Sequence, residues 1–154
     1  MKAGILVNRI DSSQMGFNIT NSINHISENM VNVDIIVFTR EPSLPPITPL
    51  FASMSETEVW GFDGPVISTS LETTSTLLSA TGPPKKYFYI WDLEWMRMES
   101  FTHKDLSNIY NSEKIELIAR SKRHQDIIGK CWRYPSHIMN DFNHKDLIRI
   151  ITDE

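Results

Sequence analysis

Short apolar runs that stop abruptly at polar residues recur along this chain, and they constrain its fold more than any other feature. They are GILVN (Gly4 to Asn8), VDIIVFT (Val33 to Thr39), GPVIST (Gly64 to Thr69), YFYIW (Tyr87 to Trp91) and IELIA (Ile115 to Ala119). A strand that is apolar at nearly every position hides both of its faces, the condition of a strand in a parallel sheet covered on both sides. Helical patterns separate these runs. Ile19, Ile23, Ile26 and Met30 share one helical face, which predicts an amphipathic helix over Phe17 to Met30. Leu71, Leu77 and Leu78 supply the apolar side of a second helix, with Thr69 and Glu72 at capping-box spacing. Thr102 and Asp105 open a third that ends near Asn111. Ile127, Ile128, Cys131 and Trp132 mark a fourth; HIMN (His137 to Asn140) is the last strand and Lys145 to Ile151 the last helix. This alternation predicts an α/β doubly wound domain, a mainly parallel sheet with helices on both faces in a Rossmann-like three-layer sandwich.

Two segments break the rhythm. EPSLPPITPLF carries four prolines, which exclude both a helix and a central strand, so residues 41–55 are expected to form a Pro-rich surface loop. A short strand is expected around Glu58 to Trp60, and TGPPKK is a turn. A length of 154 residues fits a single domain with a core of its own.

Charge and cysteine usage narrow the function classes. A net charge of -4 argues against general nucleic-acid binding. The single cysteine, Cys131, excludes an internal disulfide and fits a reducing compartment. No apolar run approaches a membrane span, and MKAGILVNRIDSS does not read as a signal peptide, so a cytoplasmic protein is expected. The five histidines are scattered, with no HxxxH or HExxH, so neither a metal centre nor a cofactor is expected. GxGxxG, GxSxG and the P-loop are all missing.

In open α/β sheets ligands bind beyond the carboxyl ends of the strands. The polar residues at those ends are therefore the candidate site: Asp11 and Ser12 after the first strand, Ser68 at the end of the third apolar run, and Asp92 and Glu94 after YFYIW. Arg120, Ser121 and Lys122 follow IELIA. Asp92 and Glu94 have the chemistry to hold a metal ion, or one of them to act as a general base; the alternative is a pair of solvated loop acids or acids bound to backbone amides. Lys122 and Arg123 fall in the first turn of a helix, where cations oppose the helix dipole; a bound anion resolves that conflict, and so does simple solvation. Gly16 lies near the first helix start, where backbone amides can receive an anion, and an ordinary strand-to-helix turn accounts for it as well. Trp91 is read as core, Trp95 as either a stacking platform or a cover for the sheet edge.

The order of these segments resembles the N-terminal Rossmann-like domain of GT-B glycosyltransferases, most of all those carried by tailed phages. The resemblance runs through ILVN with its loop and helix, GPVISTSLETTSTLL, KKYFYIWDLEW, IELIARSKRHQDIIGKCW and the final short strand and acid. It covers most of the chain and is one of pattern. It implies the acceptor-side half of a sugar-transferring enzyme, working without an active-site metal. Asp11 to Gly16, Asp92, Glu94, Arg120 and Ser121 would then face the cleft. The family holds its nucleotide sugar mainly on a second Rossmann-like domain, so a domain in another chain or a second copy of this one is the implied partner. Two other functions stay open. The Pro-rich loop, with Leu44, Ile47, Leu50 and Phe51, fits a non-catalytic interaction or assembly protein. Asp11-Ser12-Ser13 is a partial match to the phosphate-cradling loop of a flavodoxin-like sensor.

Overall fold

The computed structural model describes residues 1–153. Seven strands form one sheet: β1 (Lys2–Val7), β2 (Asp34–Thr39), β3 (Ala52–Ser55), β4 (Val66–Ser68), β5 (Lys86–Ile90), β6 (Glu116–Ala119) and β7 (His137–Ile138). Every pairing is parallel, and the spatial order is β3-β2-β1-β4-β5-β6-β7. Five helices cover it: α1 (Gln14–Asn29), α2 (Leu71–Ser79), α3 (His103–Tyr110), α4 (Lys122–Cys131) and α5 (His144–Thr152). This is the Rossmann-like three-layer arrangement expected from the continuous apolar runs.

The runs are continuous because successive side chains feed two separate cores. Along β5, Tyr87 and Tyr89 enter one core while Phe88 and Ile90 enter the other, and all four are fully buried. Ile5 and Val7 of β1 join the first core and Leu6 the second. The first core is closed by Ile19, Ile23 and Ile26 of α1 and by Leu147 and Ile150 of α5. The second is closed by α2, α3 and α4 through Leu77, Ile109 and Ile128. A period-two strand in a three-layer domain therefore shows no polar face.

The structure corrects four local expectations. The third strand is Ala52–Ser55, inside the Pro-rich stretch, and residues 56–61 form a 3-10 turn where a strand at Glu58 to Trp60 was expected. All four residues of β3 are exposed, so this edge strand has no apolar signature; it is made by backbone pairing to β2. Val59 is buried and plugs the second core from the 3-10 turn. The cap of α2 is Ser70, whose hydroxyl accepts from the Thr73 N–H in a Ser70/Thr73 capping box, one residue beyond the predicted Thr69/Glu72 pair. The last strand stops at Ile138 rather than Asn140, because Asp141 and Phe142 turn into the left-handed region (φ 49° and 54°). Their strain is held by specific bonds: the Phe142 N–H donates to the Tyr89 hydroxyl at 3.2 Å, and its carbonyl accepts from Ser22 Oγ.

The crossover from β2 to β3 contains no helix. The Pro-rich segment takes its place and is stitched to α1 by one side chain: Asn24 Nδ2 donates to the Thr48 carbonyl at 2.9 Å, and Asn24 Oδ1 accepts from the Leu50 N–H at 2.7 Å.

Candidate functional site

The strand order reverses between β1 and β4, and in open α/β sheets the crevice at such a reversal is the natural ligand position. A cavity of about 340 Å³ opens there, above the ends of β4 and β5. Its polar lining is Thr69 and Ser70 from the end of β4 and Asp92, Glu94 and Arg97 from the segment after β5. Met15 from the start of α1, Trp91 and Met98 make the apolar wall.

Local chemistry fixes these groups. Ser70 caps α2, and Asn8 Nδ2 from the end of β1 donates to Ser70 Oγ at 3.3 Å, tying the two strand ends together. Asn8 Oδ1 is left buried with no partner among the described residues. The segment after β5 folds into a tight 3-10 turn (Glu94–Met96), which turns Glu94 back toward the start of α2. There Glu94 Oε2 accepts from the Leu71 N–H across 3.5 Å. Burial pushes the Glu94 carboxyl up to about 7; the neighbouring Asp92 and Glu72 push the same way, against the Leu71 N–H and Arg97. Asp92 is exposed and ion-paired to Arg97 at 2.9 Å. The two acids of the WDLEW stretch thus occupy different environments, one half-buried with its titration raised, the other exposed and paired.

A second cavity adjoins the first and shares Asp92 and Arg97 with it. It adds Leu93, Met96, Arg120 and His124, above the ends of β5 and β6. The Arg120 guanidinium carbon lies over the Trp91 ring, 3.7 Å from its centroid, and the side chain donates through Nε and Nη2 to the same oxygen of Asp141 at 3.3 and 3.2 Å. Trp91 lines the first cavity, and Arg120, which lies over its ring, lines the second.

The other sequence-predicted residues divide. Asp11 and Ser12 line a third groove, over the ends of β1 and β2, with Arg9, Pro42 and Leu44. Asp11 is held below the usual carboxylate range by hydrogen bonds from Ser13 and, less strongly, by Arg9. Gly16 is buried, and a Cβ there would lie inside the contact radius of the Asp11 carbonyl oxygen. Its role in the structure is close packing of the β1–α1 turn. Ser68 is fully buried and bonds Thr74 Oγ1 at 2.7 Å and the Tyr87 carbonyl at 3.1 Å, so it pins α2 to the sheet. Ser121 caps α4 by accepting from the His124 N–H. Lys122 Nζ turns to Tyr134, Gln125 and Asp126.

Sequence reasoning passed over Met15, Arg97 and Met98. Trp91, read as core, packs against the first core and also lines the cavity. Trp95 packs edge-on against Tyr110 and Trp132, which of its two open readings fits the cover. The signal for Trp91 was available: it is the first residue past β5 and so projects beyond the sheet. Among the described residues no three His, Cys, Asp or Glu side chains gather as a metal site, and no helix is long and apolar enough to cross a membrane. Comparison with protein-family models, curated proteins and solved structures finds no match for this chain.

Proposed function

We propose that the cavity at the β1/β4 reversal binds a sugar or a nucleotide-sugar-related ligand, with Glu94 as the base toward one of its hydroxyls, in the manner of the acceptor half of a GT-B glycosyltransferase. One observation carries the reading. A carboxyl with its titration moved to about 7 lines a cavity whose apolar wall is Trp91, Met15 and Met98. A general base works best when its titration lies near the operating pH. Trp91 offers a flat apolar surface to the C–H face of a sugar ring, while Ser70, Thr69 and Asp92 offer partners for its hydroxyls. In a transfer step Glu94 takes the hydroxyl proton as the freed oxygen forms the new glycosidic bond and the donor's leaving group departs with its bonding pair. A domain in another chain, or a second copy, supplies the donor side.

Thermal shift against a panel of sugars, nucleotides and nucleotide sugars tests this. At least one should raise the melting temperature of the native chain and leave that of Glu94→Gln unmoved. A panel that stabilises neither, or both alike, contradicts the reading.

A second reading rests on its own observation. The edge strand β3 is wholly exposed, and Leu44, Leu50, Met54 and Trp60 near it are 86%, 47%, 41% and 40% exposed. This surface suits a non-catalytic assembly role. A concentration-dependent oligomer abolished by Met54→Lys, without any ligand response, would favour it.

A further inference from the structure

The second cavity holds polar side-chain nitrogens that no other group of the described residues partners. Both Arg120 donors that are used converge on one oxygen of Asp141, and its Nη1 has no partner among the described residues. Arg97 uses only Nη2, toward Asp92. His124 Nδ1 is buried and unpartnered among the described residues. Asp92 is the only carboxylate in the lining, and it is already engaged. The ion pairs that hold the two arginines are exposed and so weak, typically below about 1 kcal/mol, and a doubly charged oxyanion displaces or joins them at little cost. Stacking on Trp91 fixes the Arg120 fork in advance, which lowers the entropy lost on binding. Burial and the nearby Arg120 hold the His124 imidazole below its ordinary range, so it is neutral at pH 7 and can accept a proton when an anion arrives.

From these residues we infer that Arg97, Arg120 and His124 form a phosphate subsite, and that the ligand of the neighbouring cavity is a phosphorylated one. Asp92 and Arg97 border both cavities, so one extended ligand can reach both: the hydroxyl-bearing part against Glu94 and Trp91, its phosphate against Arg97 and Arg120. Only the hydroxyl-bearing part rests on the sugar reading above; the phosphate subsite stands on the arginines and the cavity. Lys122 takes no part, since its ammonium is bound to Tyr134 and Asp126.

The test is an NMR titration of arginine Nε–H signals with inorganic phosphate and, separately, pyrophosphate, at fixed ionic strength. Arg97 and Arg120 should shift saturably in the millimolar range while Arg9 and Arg149 stay still. Arg120→Gln should weaken binding by about tenfold, the loss of one charge-assisted bond. Arg97→Gln, on an exposed turn, should weaken it similarly and serves if Arg120→Gln folds poorly. Tighter pyrophosphate than phosphate would identify a diphosphate ester, equal affinity a monoester. Absence of saturable shifts, or shifts unchanged by either substitution, overturns the subsite. Glu94→Gln separates the two claims: it should leave phosphate affinity intact. Phosphate binding without any sugar response removes the sugar reading alone, and a sugar response without phosphate binding removes this subsite alone.

Discussion

Glu94 Oε2 stands 3.5 Å from the backbone N–H of Leu71, the first residue of α2, so a carboxyl from the turn after β5 closes over the helix that follows β4. The helix start favours its charged form, and burial opposes it more strongly.

That balance predicts a sign for the pH dependence of stability. The folded chain keeps a proton on Glu94 up to about 7, whereas an unfolded carboxyl loses it near 4.5. The contribution of the protonated group is therefore complete below the unfolded value and lost as pH rises through the folded one. Each unit of displacement is worth at most about 1.4 kcal/mol, and the contact of the carboxyl with cavity solvent reduces this, so about 1–2 kcal/mol is expected. Urea denaturation at about pH 5 and about pH 8 checks it. Glu94→Gln should flatten the slope and be the more stable form at the higher pH.

Tyr89 holds the left-handed turn before α5. Its hydroxyl donates to the Met139 carbonyl at 2.9 Å and accepts from the Phe142 N–H at 3.2 Å, and burial drives its own titration well above the ordinary phenol range. Tyr89→Phe leaves a buried N–H and a carbonyl unpaired, which should cost about 1–3 kcal/mol in a denaturant melt. Amide exchange at Phe142 should accelerate most.

Gly16 sits where a side chain has no room against the Asp11 carbonyl. Gly16→Ala should destabilise by about 1–3 kcal/mol through displacement of the β1–α1 turn, read in the same melt. Ser68→Ala should cost about 1 kcal/mol by removing the bonds of its hydroxyl to Thr74 Oγ1 and the Tyr87 carbonyl, with Thr74 keeping its bond to the Ser70 carbonyl, while leaving ligand binding unchanged, since Ser68 does not line the cavity.

Buried strands were legible because each had to satisfy two cores, as Tyr87 to Ile90 do. The edge strand β3 was not, because backbone pairing to β2 makes it and its side chains meet only solvent. The rim of the candidate site was legible as a set of polar strand ends, and the parallel sheet does place Asp11, Asp92 and Arg120 along its carboxyl edge. Which of them share a cavity was not. That depends on the 3-10 turn at Glu94 and on Arg120 lying over Trp91, neither of which has a periodic signature. Glycine and serine near a strand end read alike whether they bind a ligand or pack a turn; only the distances around Gly16 and Ser68 separate the two.

Methyl NMR of the methionines tests the central claim most directly, because these residues are distributed across the competing surfaces. Met15 and Met98 wall the β1/β4 cavity, Met54 lies on the exposed edge strand and Met30 beyond the end of α1. Titration with the sugar and nucleotide-sugar panel should move the Met15 and Met98 methyl signals together, saturably, with Met30 and Met54 unmoved. If no compound moves that pair, or if the shifts fall on Met54, the cavity around Glu94 is not the ligand site.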